Sequence, residues 1–368
     1  MVVKVIKAAE LIEYIGSEEF KSSPVLPISS SRAISHFHNP RVSPDDPVLY
    51  VAYIDSRIVG YRLVLADYIF HASQKEKIGW FSCVWVDPAM RGKGIAKALV
   101  QRAMKDWDEK IILVDPAKES RALYMDTGKF SDGFDLDGVK AFRKFNLSVV
   151  LPPKSAFFRK LYPVLWILDM VLNIFLIPYT LKWKSVISKY KLHLKPFQQF
   201  DAGTKRFLDY HSTELITARR SEDFEWIHQY PWITEGMENE ESRRYYFSSV
   251  ADRFTVLFYK LTNNTGDIEA LIFVTIRNDH MKVSYVFYNK GKESEVLKAI
   301  NKVAVDYKVA AVTVFDKGII NEMHNKSTPF IYLKPVKKHF LISYKIKSVF
   351  AGQLTGFLQG GDGDSIFV

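Results

Sequence analysis

The sequence has 368 residues, of which 48% are hydrophobic and 14% aromatic, with a net charge of +10 and one cysteine. This length provides material for two cores, and a single cysteine excludes an internal disulfide and fits a reducing compartment. The N-terminus lacks a basic region followed by an apolar core, so we expect no signal peptide. No helix-turn-helix, zinc-finger or RNP pattern accompanies the basic charge, which disfavours nucleic acid as a partner.

Strands and helices alternate in the first 130 residues. The pattern predicts a strand at 2–6, a helix at 8–20 and a hairpin formed by 48–55 and 57–67. A buried strand at 80–86 follows, then a helix at 95–107, a strand at 111–114 and a helix at 119–127. This order predicts an α/β (α+β) domain.

The most informative segment is a turn between the strand at 80–86 and the helix at 95–107. Asp87-Pro88 ends the strand, and a glycine-rich, basic turn then leads into the helix. Backbone N–H groups converge at a helix N-terminus, and glycines let a phosphate approach the backbone closely. The segment therefore predicts a pyrophosphate site formed by Arg91, Gly92, Lys93, Gly94, Ile95 and Ala96.

The details of this turn resemble one family. Arg91-x-x-Gly94-x-Ala96, preceded by Val86-Asp87-Pro88, is similar to the acetyl-CoA loop of the GCN5-related N-acetyltransferases, the GNAT superfamily, and the order of elements agrees over about residues 1–145. The resemblance implies that acetyl-CoA is a co-substrate and that no metal is needed. It also implies that main-chain N–H groups from Arg91 to Ala96 hold the pyrophosphate, and that the backbone at Val84 to Val86 pairs with the pantetheine arm.

The same resemblance implies a catalytic acid. Ala122-Leu123-Tyr124 followed by Gly128-Lys129-Phe130 looks like the family's A-x-x-L-Y-x-x-x-G-F, with Lys129 as one extra residue. Tyr124 would protonate the thiolate as coenzyme A leaves; the alternative is a packing tyrosine on an amphipathic helix. No general base is evident, and an apolar strand disfavours Cys83 as a nucleophile because burial raises the pKa of a thiol.

The segment at 30–40 precedes the hairpin, where the family places the loop that covers the acceptor. Two histidines two residues apart also suggest a metal, but no third ligand is near, so we predict none. The alternative role for these side chains is to anchor a solvated loop. The candidate contacts to an anionic or sugar substrate are Arg32, His36, His38 and Asn39, with Ser82 from the strand.

An apolar segment at 161–181 contains a single charge, Asp169, and approaches the length that spans a bilayer. Pro163, Asp169, Asn173 and Pro178 argue against a spanning helix. Three interpretations stay open: a helix in the headgroup region of an anionic leaflet, a helix buried between domains, and a transmembrane span. Basic residues flank the segment on both sides: Lys154, Arg159, Lys160, Lys182, Lys184, Lys189, Lys191 and Lys195.

The C-terminal half again has GNAT-like order. We predict a helix at 213–230, strands at 254–261, 267–277 and 281–288, a helix at 294–307, a strand at 310–315, a helix at 317–325 and a strand at 337–344. No acetyl-CoA loop follows the third strand. The segment Gly360-Gly-Asp-Gly-Asp364 lacks the glutamate of a calcium loop and predicts a flexible tail, with residues 366–368 able to pack against the body.

The whole arrangement looks like that of Bacteroidetes GNAT proteins of surface-polysaccharide synthesis. We therefore expect mixed, mainly antiparallel sheets flanked by helices in two GNAT-like domains: a catalytic domain at 1–148, a hydrophobic linker at 149–200, a degenerate domain at 201–350 and a tail at 351–368. The expected activity is acetyl transfer to a primary amine, an amino sugar or a lipid-linked acceptor, in the cytoplasm or peripherally at the inner face of the membrane. The alternatives are a FemAB-like aminoacyl transferase acting on a cell-wall precursor and a non-catalytic, membrane-associated CoA-binding adaptor.

Overall fold

The computed structural model describes residues 1–71, 74–349 and 358–367. The chain divides into two compact units. The first unit consists of Met1–Leu136, Gln198–Val256 and Lys338–Val368, and the second consists of Asp137–Phe197 and Leu257–Lys337.

The described strands, in chain order, are β1 (Val2–Lys7), β2 (Pro47–Ile54), β3 (Arg57–His71), β4 (Gln74–Val86), β5 (Ile111–Val114), β6 (Phe130–Phe142), β7 (His193–Phe197), β8 (Thr234–Glu235), β9 (Val250–Ala251), β10 (Phe254–Thr262), β11 (Ile268–Arg277), β12 (His280–Tyr288), β13 (Ala311–Val314) and β14 (Tyr332–Ser343). The chain passes from one unit to the other within β6 and β14.

The described α-helices are α1 (Leu11–Gly16), α2 (Glu18–Ser22), α3 (Ser30–Phe37), α4 (Ile95–Asp106), α5 (Lys118–Met125), α6 (Leu147–Val150), α7 (Ala156–Lys160), α8 (Tyr162–Phe175), α9 (Ile177–Ser188), α10 (Ala202–Ser212), α11 (Ser221–Gln229), α12 (Glu240–Arg244), α13 (Glu293–Asp306), α14 (Lys317–Asn325) and α15 (Tyr344–Val349). Short 3₁₀ turns occur at Ala8–Glu10, Pro88–Met90, Pro152–Lys154 and Gly363–Phe367.

The sheet of the first unit has the order β1-β2-β3-β4-β5-β14. Its pairs are antiparallel except for β4 and β5, which run parallel where Gly79 and Trp80 face Ile111 and Ile112. One apolar cluster packs the inner side of α4, including Leu99 and Ala103, against the sheet. A second cluster contains residues of α1 and α3 together with β2 and β3. Helices therefore cover both faces of this sheet, and its central strands β3 and β4 are buried or half-buried over most of their length.

The second unit contains the sheet order β6-β13-β12-β11-β10-β7. The pair β12–β13 is parallel, whereas the pairs β6–β13, β11–β12 and β7–β10 are antiparallel. Helix α13 buries its apolar side in the core of this sheet. Both units thus contain mixed, mainly antiparallel sheets flanked by helices, and the predicted α/β (α+β) fold class is confirmed.

The division into units differs from the predicted domain boundaries, because residues 198–256 pack with the first unit rather than with the C-terminal half. A buried ionic network explains this. Asp67 of β3 accepts from Arg41 (Nη1–Oδ1 2.8 Å) and from Arg219 (Nη2–Oδ2 2.8 Å), and Asp223 pairs with Arg41. Trp80 Nε1 also donates to Asp67 at 2.8 Å. Groups this deeply buried require partners, so the segment that holds Arg219 and Asp223 is fixed beside β3.

The tail differs from the flexible segment that we predicted, and the alternative, in which residues 366–368 pack against the body, agrees with the burial of Ile366 and Phe367. Residues 358–367 are packed rather than flexible: Ile366 and Phe367 are buried, and the Phe367 ring meets Trp232 edge-on with centroids 4.5 Å apart. Gly363 has φ +73°, and a Cβ there would lie 3.0 Å from the Trp80 ring. Residues 350–357 and Val368 lie outside the described part of the chain.

Two predicted helices are divided in the structure, and a third is shortened. The helix predicted at 8–20 forms a 3₁₀ turn, α1 and α2; the one at 213–230 is α11 alone; and the apolar segment forms α8 and α9, bent by 53°. Within the described ranges, no helix taken singly has the length and apolar character to cross a membrane. The bent pair α8–α9 meets those criteria jointly, by length and composition alone.

Candidate active site

The predicted turn borders a cavity of about 380 Å³ in the first unit. Strand β4 forms one wall, the turn and the start of α4 form a second, and α5 contributes a third. The lining residues are Val84, Trp85, Val86, Met90, Arg91, Gly92, Gly94, Ile95, Ala96, Lys97, Glu119, Ser120, Leu123 and Tyr246. Every predicted cofactor residue except Lys93 is therefore brought to one cavity.

The turn has the backbone geometry of an anion site. Gly92 and Gly94 have φ of +79° and +77°, and a Cβ built on either would meet no atom within 4 Å. Gly94 is the N-cap of α4, a 12-residue helix that begins with the buried Ile95. The N–H groups of the first turn and the helix dipole thus face a space that is open at both glycines. This space can receive an anionic group.

Strand β4 carries a bulge next to the cavity. Cys83 has φ +45°, and the register with β3 shifts between Tyr61, opposite Trp85, and Leu63, opposite Ser82. The parallel ladder between β4 and β5 covers Gly79 and Trp80 only, among the described pairs. Residues 84–86 lie beyond this ladder and line the cavity. An extended ligand can therefore lie beside this part of β4 as another strand would.

Tyr124 does not line the cavity, although Ser120 and Leu123 of the same helix do. Its ring is buried against Phe81 and Phe130, and its hydroxyl accepts a hydrogen bond from Arg62 Nη2 at 2.5 Å. Since the hydroxyl accepts from Arg62, its own hydrogen is available for donation. The contacts suit both predicted roles, a proton donor and a packing tyrosine.

Three of the candidate substrate residues, Arg32, His36 and Ser82, lie in a buried polar cluster. Arg32 Nη2 donates to Ser82 Oγ at 3.2 Å, and the guanidinium lies 4.3 Å from the centroid of the Trp232 ring. Arg32 Nε and His36 Nε2 are buried without a hydrogen-bond partner in the described part of the chain. Burial lowers the pKa of His36 well below its ordinary value, so its ring is neutral at physiological pH.

Cys83 and Tyr245 complete this polar cluster. The Tyr245 hydroxyl donates to Cys83 Sγ at 3.5 Å. Burial raises the pKa of the Cys83 thiol, which opposes a nucleophilic role. The cluster adjoins the cavity, because Cys83 precedes Val84 and Tyr245 precedes Tyr246.

The other two candidate substrate residues have structural contacts. His38 is exposed and stacks on Tyr230, with centroids 4.0 Å apart. Asn39 donates to the carbonyl of Ala66 and accepts from the N–H of Arg41, so its side chain fixes a turn. Among the described residues, no group of three or more His, Cys, Asp or Glu side chains is arranged to hold a metal ion.

Sequence reasoning missed Arg62, Trp232, Tyr245 and Tyr246. Arg62 had a local signal, because it is the one charged residue in the apolar run at 58–66. The three aromatic residues had none, since they lie more than 130 residues from the turn along the chain. Their position depends on the ionic network that fixes residues 198–256 beside β3.

Comparison with known proteins agrees with this geometry. Residues 13–128 match the model of the acetyltransferase (GNAT) family. That range contains every lining residue of the cavity except Tyr246. A search of curated proteins found no match. Because the family match ends at residue 128, the degenerate GNAT-like domain predicted at 201–350 stays a prediction.

A search of solved structures found matches at low sequence identity. A probable N-acyltransferase from Enterococcus faecalis V583 has a TM-score of 0.50 and 11% identity, covering 92% of this chain and 72% of that one. A GCN5-related N-acetyltransferase from Anabaena variabilis has a TM-score of 0.49 and 12% identity, with the same shares of the two chains covered. N-myristoyltransferase from Saccharomyces cerevisiae, solved with myristoyl-CoA, has a TM-score of 0.47 and 9% identity, covering 83% of this chain and 71% of that one. Residues 13–128 of this chain thus carry the sequence pattern of the acetyltransferase (GNAT) family on a fold that the E. faecalis protein shares.

Proposed function

We propose that this protein is an acyl-CoA-dependent N-acyltransferase that transfers an acetyl group from acetyl-CoA to a primary amine. One observation carries the proposal: a single cavity joins the glycine turn at the N-terminus of α4 to the bulged end of β4. The family match over the same residues supports it.

The residues present fit coenzyme A. The N–H groups of residues 91–96 and the open space at both glycines suit a pyrophosphate, and Arg91 adds positive charge. Val84, Val86 and Leu123 give the remaining cavity apolar walls that suit the pantetheine arm. Lys93 would act through its main chain, as it does not line the cavity.

The reaction is direct transfer. The amine nitrogen attacks the thioester carbon, the C–S bond breaks, and its electron pair stays on sulfur. Tyr124 gives its proton to that sulfur, and Arg62 orients the hydroxyl by donating to its oxygen. The acylated nitrogen loses its extra proton to water, and the Tyr124 phenolate regains one from water, so no net proton is consumed. Backbone N–H groups near Val86 stabilise the oxyanion.

The acceptor that we favour is an amino sugar, used in surface-polysaccharide synthesis while free or linked to a lipid. The likeness to Bacteroidetes proteins supports this class. Arg32 and the neutral His36 supply a buried cation and a buried unpaired ring nitrogen beside the cavity, which suit an acceptor that carries anionic and hydroxyl groups. We place the reaction in the cytoplasm, where acetyl-CoA is available.

Isothermal titration with acetyl-CoA tests the cofactor site. Gly94→Glu places a carboxylate and a strained backbone where the pyrophosphate would bind, so we expect binding to weaken by about a hundredfold or more. Gly266→Glu is the matched control, because Gly266 also has a positive φ (+92°) and open surroundings but lies in the β10–β11 turn of the second unit. Equal affinity in all three proteins, or no binding by the wild type, contradicts the proposal.

A turnover assay separates the remaining alternatives. Release of free thiol from acetyl-CoA in the presence of nucleotide-linked amino sugars is expected of the transferase. If acetyl-CoA binds but no amine causes release of free thiol from it, the protein is a CoA-binding adaptor instead. Activity with aminoacyl-tRNA as the sole donor indicates the FemAB-like reaction.

A further inference from the structure

Helices α8 and α9 of the second unit leave a broad apolar surface exposed. More than half of the exposed large apolar side chains in the described ranges fall between residues 149 and 181. Soluble surfaces seldom carry so many together unless something covers them. We define the α8–α9 face by Val149, Phe157, Tyr162, Val164, Trp166, Ile167, Leu168, Met170, Val171, Ile174, Phe175, Ile177 and Leu181.

The polar side chains of α8 point toward the protein instead. Asp169 is 7% exposed, and its carboxylate accepts from the N–H groups of Leu147 and Ser148 at 2.6 and 2.8 Å. Asn173 exchanges two hydrogen bonds with the backbone of Phe145. Asp169 and Asn173, two of the four residues that argued against a spanning helix in the sequence, are therefore paired within the second unit, and the outward side of α8 is left apolar.

Both helices pack against and hydrogen-bond with other elements of the second unit. Trp183 and Ile187 of α9 pack on Val305 of α13, and the Tyr179 hydroxyl donates to the carbonyl of Thr328 at 2.8 Å. Helix α8 has 14 residues and is about 21 Å long, less than the roughly 30 Å of a hydrocarbon core. Helices held in this way, with a 53° bend between them, suit a position on a bilayer better than a path across it.

The charges around the α8–α9 face have one sign. Asp169 is the only acidic residue between 147 and 188, and it is buried. A cationic rim around an apolar centre complements a surface of anionic lipid, because lysine stems lie along the apolar region while their charges reach the headgroups. The exposed basic residues of this rim are Lys154, Arg159, Lys160, Lys182 and Lys184.

We propose that the α8–α9 face binds the surface of an anionic phospholipid bilayer and anchors the protein there without crossing it. Trp166 and Phe175 enter the boundary between headgroups and acyl chains, and the basic rim contacts the phosphates. This anchor is independent of the proposed acyltransferase activity, since all of its residues belong to the second unit.

Flotation of the full chain with vesicles tests the anchor. We expect binding to vesicles of phosphatidylcholine with phosphatidylglycerol, weaker binding to phosphatidylcholine alone, and further weakening by salt. Trp166→Glu with Phe175→Glu is expected to reduce binding by at least about tenfold. The control is Tyr210→Glu with Tyr344→Glu, which also replaces two exposed aromatic side chains by carboxylates but lies outside the α8–α9 face. The exposures match: Tyr210 and Tyr344 are 76% and 53% exposed, and Phe175 and Trp166 are 76% and 54% exposed.

Circular dichroism of each variant establishes that it is folded before flotation is compared. Equal binding by the two double variants, or no binding by the wild type, overturns the anchor. Resistance to extraction by alkaline carbonate indicates a spanning segment and also overturns it. The anchor is also overturned if the wild type is an oligomer in solution and the variant Trp166→Glu with Phe175→Glu is a monomer, because a second copy of the chain then covers the α8–α9 face.

Discussion

Arg62 is the side chain on which the proposed role of Tyr124 depends. It is fully buried, its guanidinium lies 4.1 Å from the centroid of the Phe81 ring, and Nη2 donates to the Tyr124 hydroxyl. Its Nε and Nη1 have no hydrogen-bond partner among the described atoms. A buried cation with a single polar partner is costly for stability, so we infer that Arg62 is kept for the orientation that it gives the phenol.

Tyr124→Phe separates catalysis from packing. The ring contacts with Phe81 and Phe130 remain, while the proton donor is lost and Arg62 loses its acceptor. We expect kcat for thiol release to fall by about a hundredfold with KM for acetyl-CoA nearly unchanged. The free energy of unfolding should fall by about 1–3 kcal/mol. An unchanged kcat together with this loss of stability identifies Tyr124 as a packing residue only.

At the scale of elements, Asp67 connects β3 to the segment at 198–256. Burial alone would raise the pKa of its carboxyl, but Arg219 and Arg41 outweigh burial and hold the pKa below its ordinary value. Because the pKa is lower in the folded state, the unfolded chain binds more protons as the pH falls. The stability that this carboxylate provides is therefore complete above about pH 4 and is lost below it, as the pH passes through the folded pKa.

Asp67→Asn should lower the free energy of unfolding by about 3–5 kcal/mol at neutral pH, because Arg41 and Arg219 then lack this carboxylate. The difference from the wild type should narrow as the pH falls below about 4. Urea denaturation at several pH values measures both effects. Asp45→Asn is the control: its carboxyl also has a lowered pKa, through Lys7, but it is exposed, and we expect little change. A pH-independent difference would contradict this account.

The elements that the sequence predicted well are those with local signals. The boundaries of α4, β5 and α14 follow from glycine, apolar periodicity and capping, and the structure agrees with them to within one residue. The apolar segment at 161–181 was harder. Its division at Leu176 has a cause that the sequence contains, since Pro178 lacks an N–H and its ring crowds the preceding turn. The inward direction of Asp169 had no such signal, because it depends on Leu147 and Ser148.

For the whole molecule, prediction failed where distant segments meet. The cavity was found because its residues are nearly all contiguous with the turn. The contribution of residues 198–256 to the first unit was not predicted, and packing of the tail was predicted only as an alternative without its partners. Both rest on pairs such as Arg41 with Asp223 and Trp232 with Phe367. These pairs join positions more than 130 residues apart, and no periodicity within either segment encodes them.

Phe367→Ala tests whether the tail is part of the first unit. Phe367 is fully buried beside Trp226, Trp232 and Phe254, so we expect a loss of about 3–5 kcal/mol in the free energy of unfolding. Phe157→Ala removes a ring that is 65% exposed and should change stability little. Chemical denaturation compares them. Similar losses in the two variants would show that the tail contributes no more than a surface residue.

The three-part composition of the first unit sets an order of events during synthesis. Its N-terminal segment leaves the ribosome first, yet its core still lacks Ile366 and Phe367 when the second unit, which ends at Lys337, is already synthesised. The unit that starts first is therefore completed last. Until residues 358–367 are synthesised, part of the apolar surface of the first unit stays exposed. We expect nascent chains to depend on chaperones during this interval.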